Sequence, residues 1–419
     1  MKEQIVFIEY FPMIHTLKMA KGLRDTGRYE TILIAFNKFD KEFFKMGYDK
    51  IINLDVSQRP NPKNLLYFLK TSFSKERARF FAEIKALNPY IVQITGLGVF
   101  SFLSNFLINK NIPRVYYAYD IISFRNLERN EDNYRGIKKY NLSYFPKILR
   151  RLEKHYFRNS SGIIHKGSKE ELNYLNYSVS TPDLFLTPGC LEDWTYATKK
   201  NKRDGIHIVF AGHPNEDIYY AHPFREIIKE ITAQGIHFHT YGKIPLHNDY
   251  FLNEEKNNPY FHYHDRLNPK ELNEVISNYH YGIIPDFFNE LIDPLWPKTS
   301  VGHKMFNYLE AGLPIIMTNE LQAMAAIVKK YKIGICIDYE DIKKLRKTLQ
   351  HINYKKLQEN VEKAQRELSI SNLTKKLECF YKEIVERNEK KTNKNFTGLK
   401  ERRKQISFFL RGSKIVLRK

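Results

Sequence analysis

The chain has 419 residues, 42% of them hydrophobic and 27% charged, with a formal net charge of +21 at pH 7. That length and apolar content exclude a disordered or fibrous protein and leave room for two or three domains with substantial cores. The excess charge points to anionic company: nucleotide phosphates, an anionic membrane surface or nucleic acid, the last without any recognised motif to support it.

The N-terminus, "MKEQIVFIEYFPMIHTLKMAKGL", has too short an apolar run for a signal peptide and no small-residue cleavage site. No stretch approaches the ~20 apolar residues needed to cross a bilayer. The expectation is a cytoplasmic protein, soluble or peripheral on the inner face of the plasma membrane. "QIVFIEY" predicts a first strand, followed by a helix over roughly His15 to Thr26, then strands at "YETILIAF" and "KIINLDV". A basic amphipathic helix, "NLLYFLKTSFSKERARFFAEIKAL", leads to the strand "PYIVQITG", another helix, and "IPRVYYAYDII". "SSGIIHKGSKEELNYL" repeats the strand–helix unit, with Ser168 as N-cap.

After "LFLTPGCLEDW" and the charged linker "KKNKRDG" a second series begins: "IHIVFAG", "IHFHTYG", "FHYHDR", "YGIIP", "LPIIMTN" and "IGICID". Helices fit between these strands, and Asn268 caps "PKELNEVISNY". Alternation of this kind predicts parallel sheets with helices on both faces. The expected fold class is α/β, with two Rossmann-like domains facing a cleft, a C-terminal helical region and a basic tail. The domains are placed at residues 1–195 and 196–388, the second including the terminal helices, with the tail at 389–419. In the tail, Ile406, Phe408, Phe409, Leu410, Ile415, Val416 and Leu417 interleave with Lys and Arg, the composition of an interfacial anchor.

Cys190, Cys336 and Cys379 are far apart, and the 14 histidines show no metal-ligand spacing, so neither a disulfide framework nor a metal or other cofactor is expected. The histidines of "IHFHTYG" and "FHYHDR" alternate with aromatics at period two, which is strand patterning.

Four segments, in order and spacing, carry a resemblance to a known family: "IVFAGH", "HFHTYGK", "FHYHDRLNPKELNEVISNYHYGIIP" and "HKMFNYLEAGLPIIMTN". Together they resemble the C-terminal domain of GT-B glycosyltransferases, glycosyltransferase family 4 in particular. The last looks like that family's Lys-x-x-Glu-Tyr-Leu-Ala-x-Gly helix and strand. The resemblance implies a nucleotide-diphosphate-sugar donor held in the C-terminal domain by Gly212, His213, Lys298, Thr299, Ser300, Lys304 and Asn307. "PKTSVGHKMFNY" would place Thr299, Ser300 and Gly302 at a helix N-terminus, where free N–H groups and the positive dipole end suit a diphosphate. The acceptor would lie on the N-terminal domain near Asp120, the candidate base, with Glu9 and His15 as secondary acceptor-side candidates.

The sequence departs from the family pattern at three points. Asn307 stands where the family usually has a glutamate, His213 replaces an arginine after the glycine turn with no lysine following, and Tyr119 precedes Asp120 where a histidine is common. Retaining and inverting chemistry both stay open. The resemblance implies sugar transfer to a surface-polysaccharide or lipid-linked saccharide. The alternatives are a nucleotide-sugar epimerase, a polyol-phosphate transferase, or a non-catalytic scaffold that binds glycan or nucleotide.

Overall fold

The computed structural model describes residues 2–54, 75–95, 108–119, 144–167, 170, 172, 181–197, 204–212, 214, 220–242, 249–289 and 295–392. Asp120, Ser168, His213, the linker residues 198–203 and the tail beyond Thr392 lie outside the described residues.

In chain order the N-terminal half holds β1 (Glu3–Glu9), α1 (Ile14–Asp25), β2 (Tyr29–Ala35), α2 (Lys41–Phe44), β3 (Lys50–Asn53), α3 (Lys75–Lys85), β4 (Ile91–Thr95), β5 (Arg114–Ala118), α4 (Tyr144–Asn159), β6 (Gly162–His165) and β7 (Asp183–Phe185). The C-terminal half holds β8 (His207–Ala211), α5 (Phe224–Thr232), β9 (His237–Tyr241), α6 (Asp249–Asn257), β10 (Phe261–His264), α7 (Pro269–Ile276) and β11 (Tyr281–Ile284). It continues with α8 (Leu295–Thr299), α9 (His303–Glu310), β12 (Ile315–Thr318), α10 (Gln322–Tyr331), β13 (Gly334–Ile337), α11 (Tyr339–Ile342), α12 (Leu345–Gln350), α13 (Tyr354–Glu367) and α14 (Ile370–Thr392).

The central strand runs β1, β8 and β12 are apolar almost throughout because both faces of each sheet are covered there. Along β1, Ile5 and Phe7 enter one core while Val6 and Ile8 enter the other. Among the described residues, the first sheet runs β3-β2-β1-β4-β5-β6-β7 and the second β10-β9-β8-β11-β12-β13, and the pairs within them are parallel. Each order reverses once, between β1 and β4 and between β8 and β11. At such a switch point neighbouring connections leave to opposite faces and open a crevice beyond the strand ends.

The helix caps follow local chemistry. The Asn268 side chain accepts the N–H of Glu271 at 3.0 Å with Pro269 at the first helical position, as the sequence predicts. The three-residue edge strand β7 is an element that the hydrophobic pattern does not predict.

The placement of the terminal helices with the second domain needs correction for the last of them. Ile370, Leu373, Leu377, Phe380, Tyr381 and Ile384 of α14 join the core cluster of the first sheet, and Tyr381 donates a hydrogen bond to Gln93 of β4. The chain thus crosses between domains twice, through Leu186–Trp194 outward and Leu368–Ile370 on return. Cys190 N donates to Leu368 O and Ile370 N to Cys190 O, both at 2.8 Å, so the two crossings form a hydrogen-bonded pair. Among the described residues, no helix is long and apolar enough to cross a membrane.

Candidate active site

In the second domain the switch point is closed on one side by α9. Tyr308 spans it: its hydroxyl accepts the N–H of Ala211 at 2.8 Å and donates to Ile283 O at 2.9 Å, tying the ends of β8 and β11 to one helix. The ring lies so close over β11 that a Cβ on Gly282 would stand 2.2 Å from it, which is why residue 282 carries no side chain.

One turn before Tyr308, Lys304 reaches across the crevice. Its ammonium lies 3.7 Å from the Asp286 carboxylate just past β11 and 4.3 Å from the Phe210 ring centroid on β8. A Cβ on Gly212 would approach the Lys304 side chain at 3.1 Å, so this glycine gives the lysine its path. Gly302 is the N-cap of α9 and offers no side-chain cap, so the helix starts with N–H groups that no cap side chain serves. A cation, a helix N-terminus and a bare glycine turn therefore converge at one switch point.

The remaining donor-side candidates are distributed differently from expectation. Thr299 is fully buried and its hydroxyl donates to Leu295 O at 2.8 Å, while Ser300 N donates to Trp296 O at 2.9 Å. Both residues close the preceding helix α8, so of the expected trio only Gly302 stands at the start of α9. The three residues Ser300, Val301 and Gly302 between α8 and α9 are enough to break the helix that the sequence suggested as a single N-terminus. Lys298 is exposed on α8, and Asn307 is half-buried on α9 one turn from Lys304.

The N-terminal domain presents α1 from the opposite side. His15, in its first turn, is fully buried in direct edge-to-face contact with His303, the first residue of α9. His15 Nδ1 lies 3.1 Å from the Tyr117 hydroxyl at the end of β5, and its Nε2 has no hydrogen-bond partner among the described residues. The Tyr119 ring packs on His15 at 4.7 Å, and the buried Lys166, just past β6, places its ammonium 3.6 Å from the Tyr119 centroid. Burial holds the His15 and His303 imidazoles well below the usual histidine range, and the Lys166 and Lys18 ammonium groups add to the effect. Both rings are neutral at pH 7.

Glu9 is fully buried beneath the start of α1, where one carboxyl oxygen accepts the N–H of Met13 at 2.8 Å. Burial pushes its pKa up to about 8, against the opposing hydrogen bonds from Thr16 and Met13. In this arrangement the Glu9 carboxyl serves the start of α1.

Sequence reasoning missed His303, Lys166, Tyr117 and Asp286. Lys166 and Asp286 each follow a strand at its carboxyl end, and that position was a usable signal. It also missed Lys18 and Glu310, which are fully buried between the domains with Nζ and Oε1 2.6 Å apart. Nothing in the spacing of two residues 292 apart could have paired them.

Residues 208–378 match the family model described as glucosyltransferase 3-like, C-terminal domain, a span that runs from β8 into α14. HepE from Anabaena, solved in complex with UDP and glucose, superposes with a TM-score of 0.59 at 9% identity, over 90% of this chain and 98% of that one. A glycosyltransferase from Rickettsia africae gives 0.59 at 14% identity, over 92% and 99%. The chain has a GT-B fold. A UDP-N-acetylglucosamine 2-epimerase structure is also similar, with a TM-score of 0.52 at 11% identity over 90% of this chain and 95% of that one. No curated protein sequence matches the chain. The family-model match of this GT-B protein falls within its second domain, while the likeness to the solved structures extends over both.

Proposed function

We propose that the protein is a glycosyltransferase that moves a hexose from a nucleotide-diphosphate sugar to a surface-polysaccharide or lipid-linked saccharide acceptor. The observation that carries this reading is the convergence of Lys304, Gly212 and the α9 N-terminus at the C-domain switch point. A departing nucleoside diphosphate gains negative charge as the glycosidic bond to it breaks. Lys304 and the α9 dipole would oppose that charge where it develops, a contribution larger in the transition state than in the bound donor. Asn307, a turn away, offers an amide to the donor's sugar or ribose hydroxyls. Gly212, His213, Lys298, Thr299 and Ser300 complete the proposed donor set, Thr299 through packing.

Two residues are candidates for deprotonating the acceptor hydroxyl. Asp120 follows Tyr119 directly in the chain. His15 is neutral, and with Nδ1–H donated to the Tyr117 oxygen its buried Nε2 would carry a lone pair. Closure of the domains would exclude water from the donor. The basic tail would hold the protein at an anionic membrane surface, near a lipid-linked acceptor.

A thermal-shift screen of nucleotides and nucleotide-sugars, followed by transfer assays, tests the reading. Stabilisation by one nucleoside diphosphate and its sugar is expected; indifference to all of them would remove the donor-site assignment. The likeness to an epimerase favours a second reading, nucleotide-sugar epimerisation. Incubation without acceptor separates the two, because an epimerase turns over alone. Flotation of the full chain with anionic but not neutral vesicles is expected if the tail anchors the protein.

A further inference from the structure

The two chain crossings between the domains meet a third element. Glu310, the last residue of α9, points into the pair formed by Cys190 and Leu368–Ile370. Its Oε1 accepts the Leu191 N–H at 2.7 Å and the Lys18 ammonium of α1 at 2.6 Å, and its Oε2 accepts the Asn273 amide of α7 at 2.8 Å. Lys18 also donates to Gly189 O at 3.3 Å and lies 5.3 Å from the Trp194 ring centroid. One carboxylate therefore joins a helix of the N-terminal domain, the outgoing crossing and a helix of the C-terminal domain. Neither side chain of the pair has any solvent exposure. In the Lys-x-x-Glu-Tyr-Leu-Ala-x-Gly pattern that this stretch resembles, residue 310 would be alanine, which could make none of these bonds.

We infer that Lys18 and Glu310 are positioning residues: they form the fixed point about which the two domains close. A buried ion pair is a weak source of net stability, because desolvation offsets most of the attraction. It is nevertheless intolerant of misplacement, since a small slide leaves two charges buried without partners. Domain motion that preserves the pair must turn about it. The same two helices bring His15 and His303 together, so the pin sets how the acceptor-side histidine meets the α9 N-terminus. The effect on catalysis rests on the proposed sugar transfer; the effect on domain geometry does not.

The test uses the full chain with Lys18→Met, Glu310→Gln, and both changes together, each measured well below its melting temperature. Readouts are UDP affinity, kcat and KM for transfer, and small-angle X-ray scattering with and without UDP. Either single variant is expected to melt lower, and the double variant to recover most of that loss because no charge is left buried alone. The double variant should bind UDP within about threefold of wild type, lose at least about tenfold in kcat, and show a broadened distribution of interdomain distances. Wild-type kcat together with a wild-type scattering profile in the double variant would overturn the inference. If the unmodified protein transfers no sugar, the transfer reading fails by itself. The scattering comparison then decides the pin: a broadened profile supports it and an unchanged one overturns it.

Discussion

The Tyr308 hydroxyl lies between Ala211 N and Ile283 O, so phenylalanine at this position would leave a buried N–H and a buried carbonyl each short of a partner. The expected cost of Tyr308→Phe is about 1–3 kcal/mol, the usual penalty for stranding a buried polar group. Because Lys304 sits one turn earlier on the same short helix, weaker binding of the nucleoside diphosphate identified by the screen should accompany the lower melting temperature. A variant that melts lower but binds that nucleotide as before would show that the tyrosine supports the sheet without placing the lysine. Lys304→Met addresses the chemistry itself. The Lys304 ammonium is partly solvated and its nearest carboxylate is 3.7 Å away, so its removal should leave the fold intact. Transfer should fall about 100-fold or more, the scale associated with a lost charge stabiliser of a leaving group; a drop under tenfold would place the diphosphate elsewhere.

Elements with a strong period were legible from sequence because their burial is two-sided and local. β1, β4, β8 and β12 are apolar runs that could be little else, and α7 announces its start with Asn268 and Pro269. What was not legible depends on partners far along the chain. α14 reads as one more charged helix after the second domain, yet its apolar side completes the core of the first. Amphipathic spacing says that a helix needs a surface, not which surface. The same limit applies to Thr299, which the sequence places at a helix N-terminus and whose hydroxyl closes α8. Leu377→Ala tests the α14 assignment: Leu377 is buried among residues of the first sheet's core, so truncation should cost about 2–5 kcal/mol. Hydrogen exchange should then report faster opening in α1, β1 and β4 while β8 and β12 keep their protection. Uniform loss across both domains would mean that the molecule unfolds as one unit, with α14 not selectively tied to the first sheet.

Across the whole molecule, the groups that meet near the cleft give stability a maximum in pH. Glu9 has a carboxyl pKa of about 8 in the fold against 4.5 for the ordinary group, so between these limits the folded chain holds a proton that the unfolded chain has released. Stability therefore falls as pH rises across that interval, by up to about 5 kcal/mol at ~1.4 kcal/mol per pH unit. The histidines act in the opposite sense. His15 and His303 stay neutral in the fold well below 6.5, whereas the unfolded chain takes up protons there, so stability falls as pH drops below about 6.5. His155 and His280, also lowered by burial, add to the acid limb and the raised Glu310 carboxyl opposes it alongside Glu9, so the maximum falls between the acid and alkaline limbs. Melting temperatures from pH 5 to 9 should show this maximum in the wild type. Glu9→Gln keeps a hydrogen-bonding group beneath α1 without an ionisable proton, and it should flatten the alkaline limb while leaving the acid limb in place. An alkaline limb of unchanged slope in that variant would mean that Glu9 is ionised in the native protein. Water or a counter-charge would then have to reach the carboxyl beneath the start of α1.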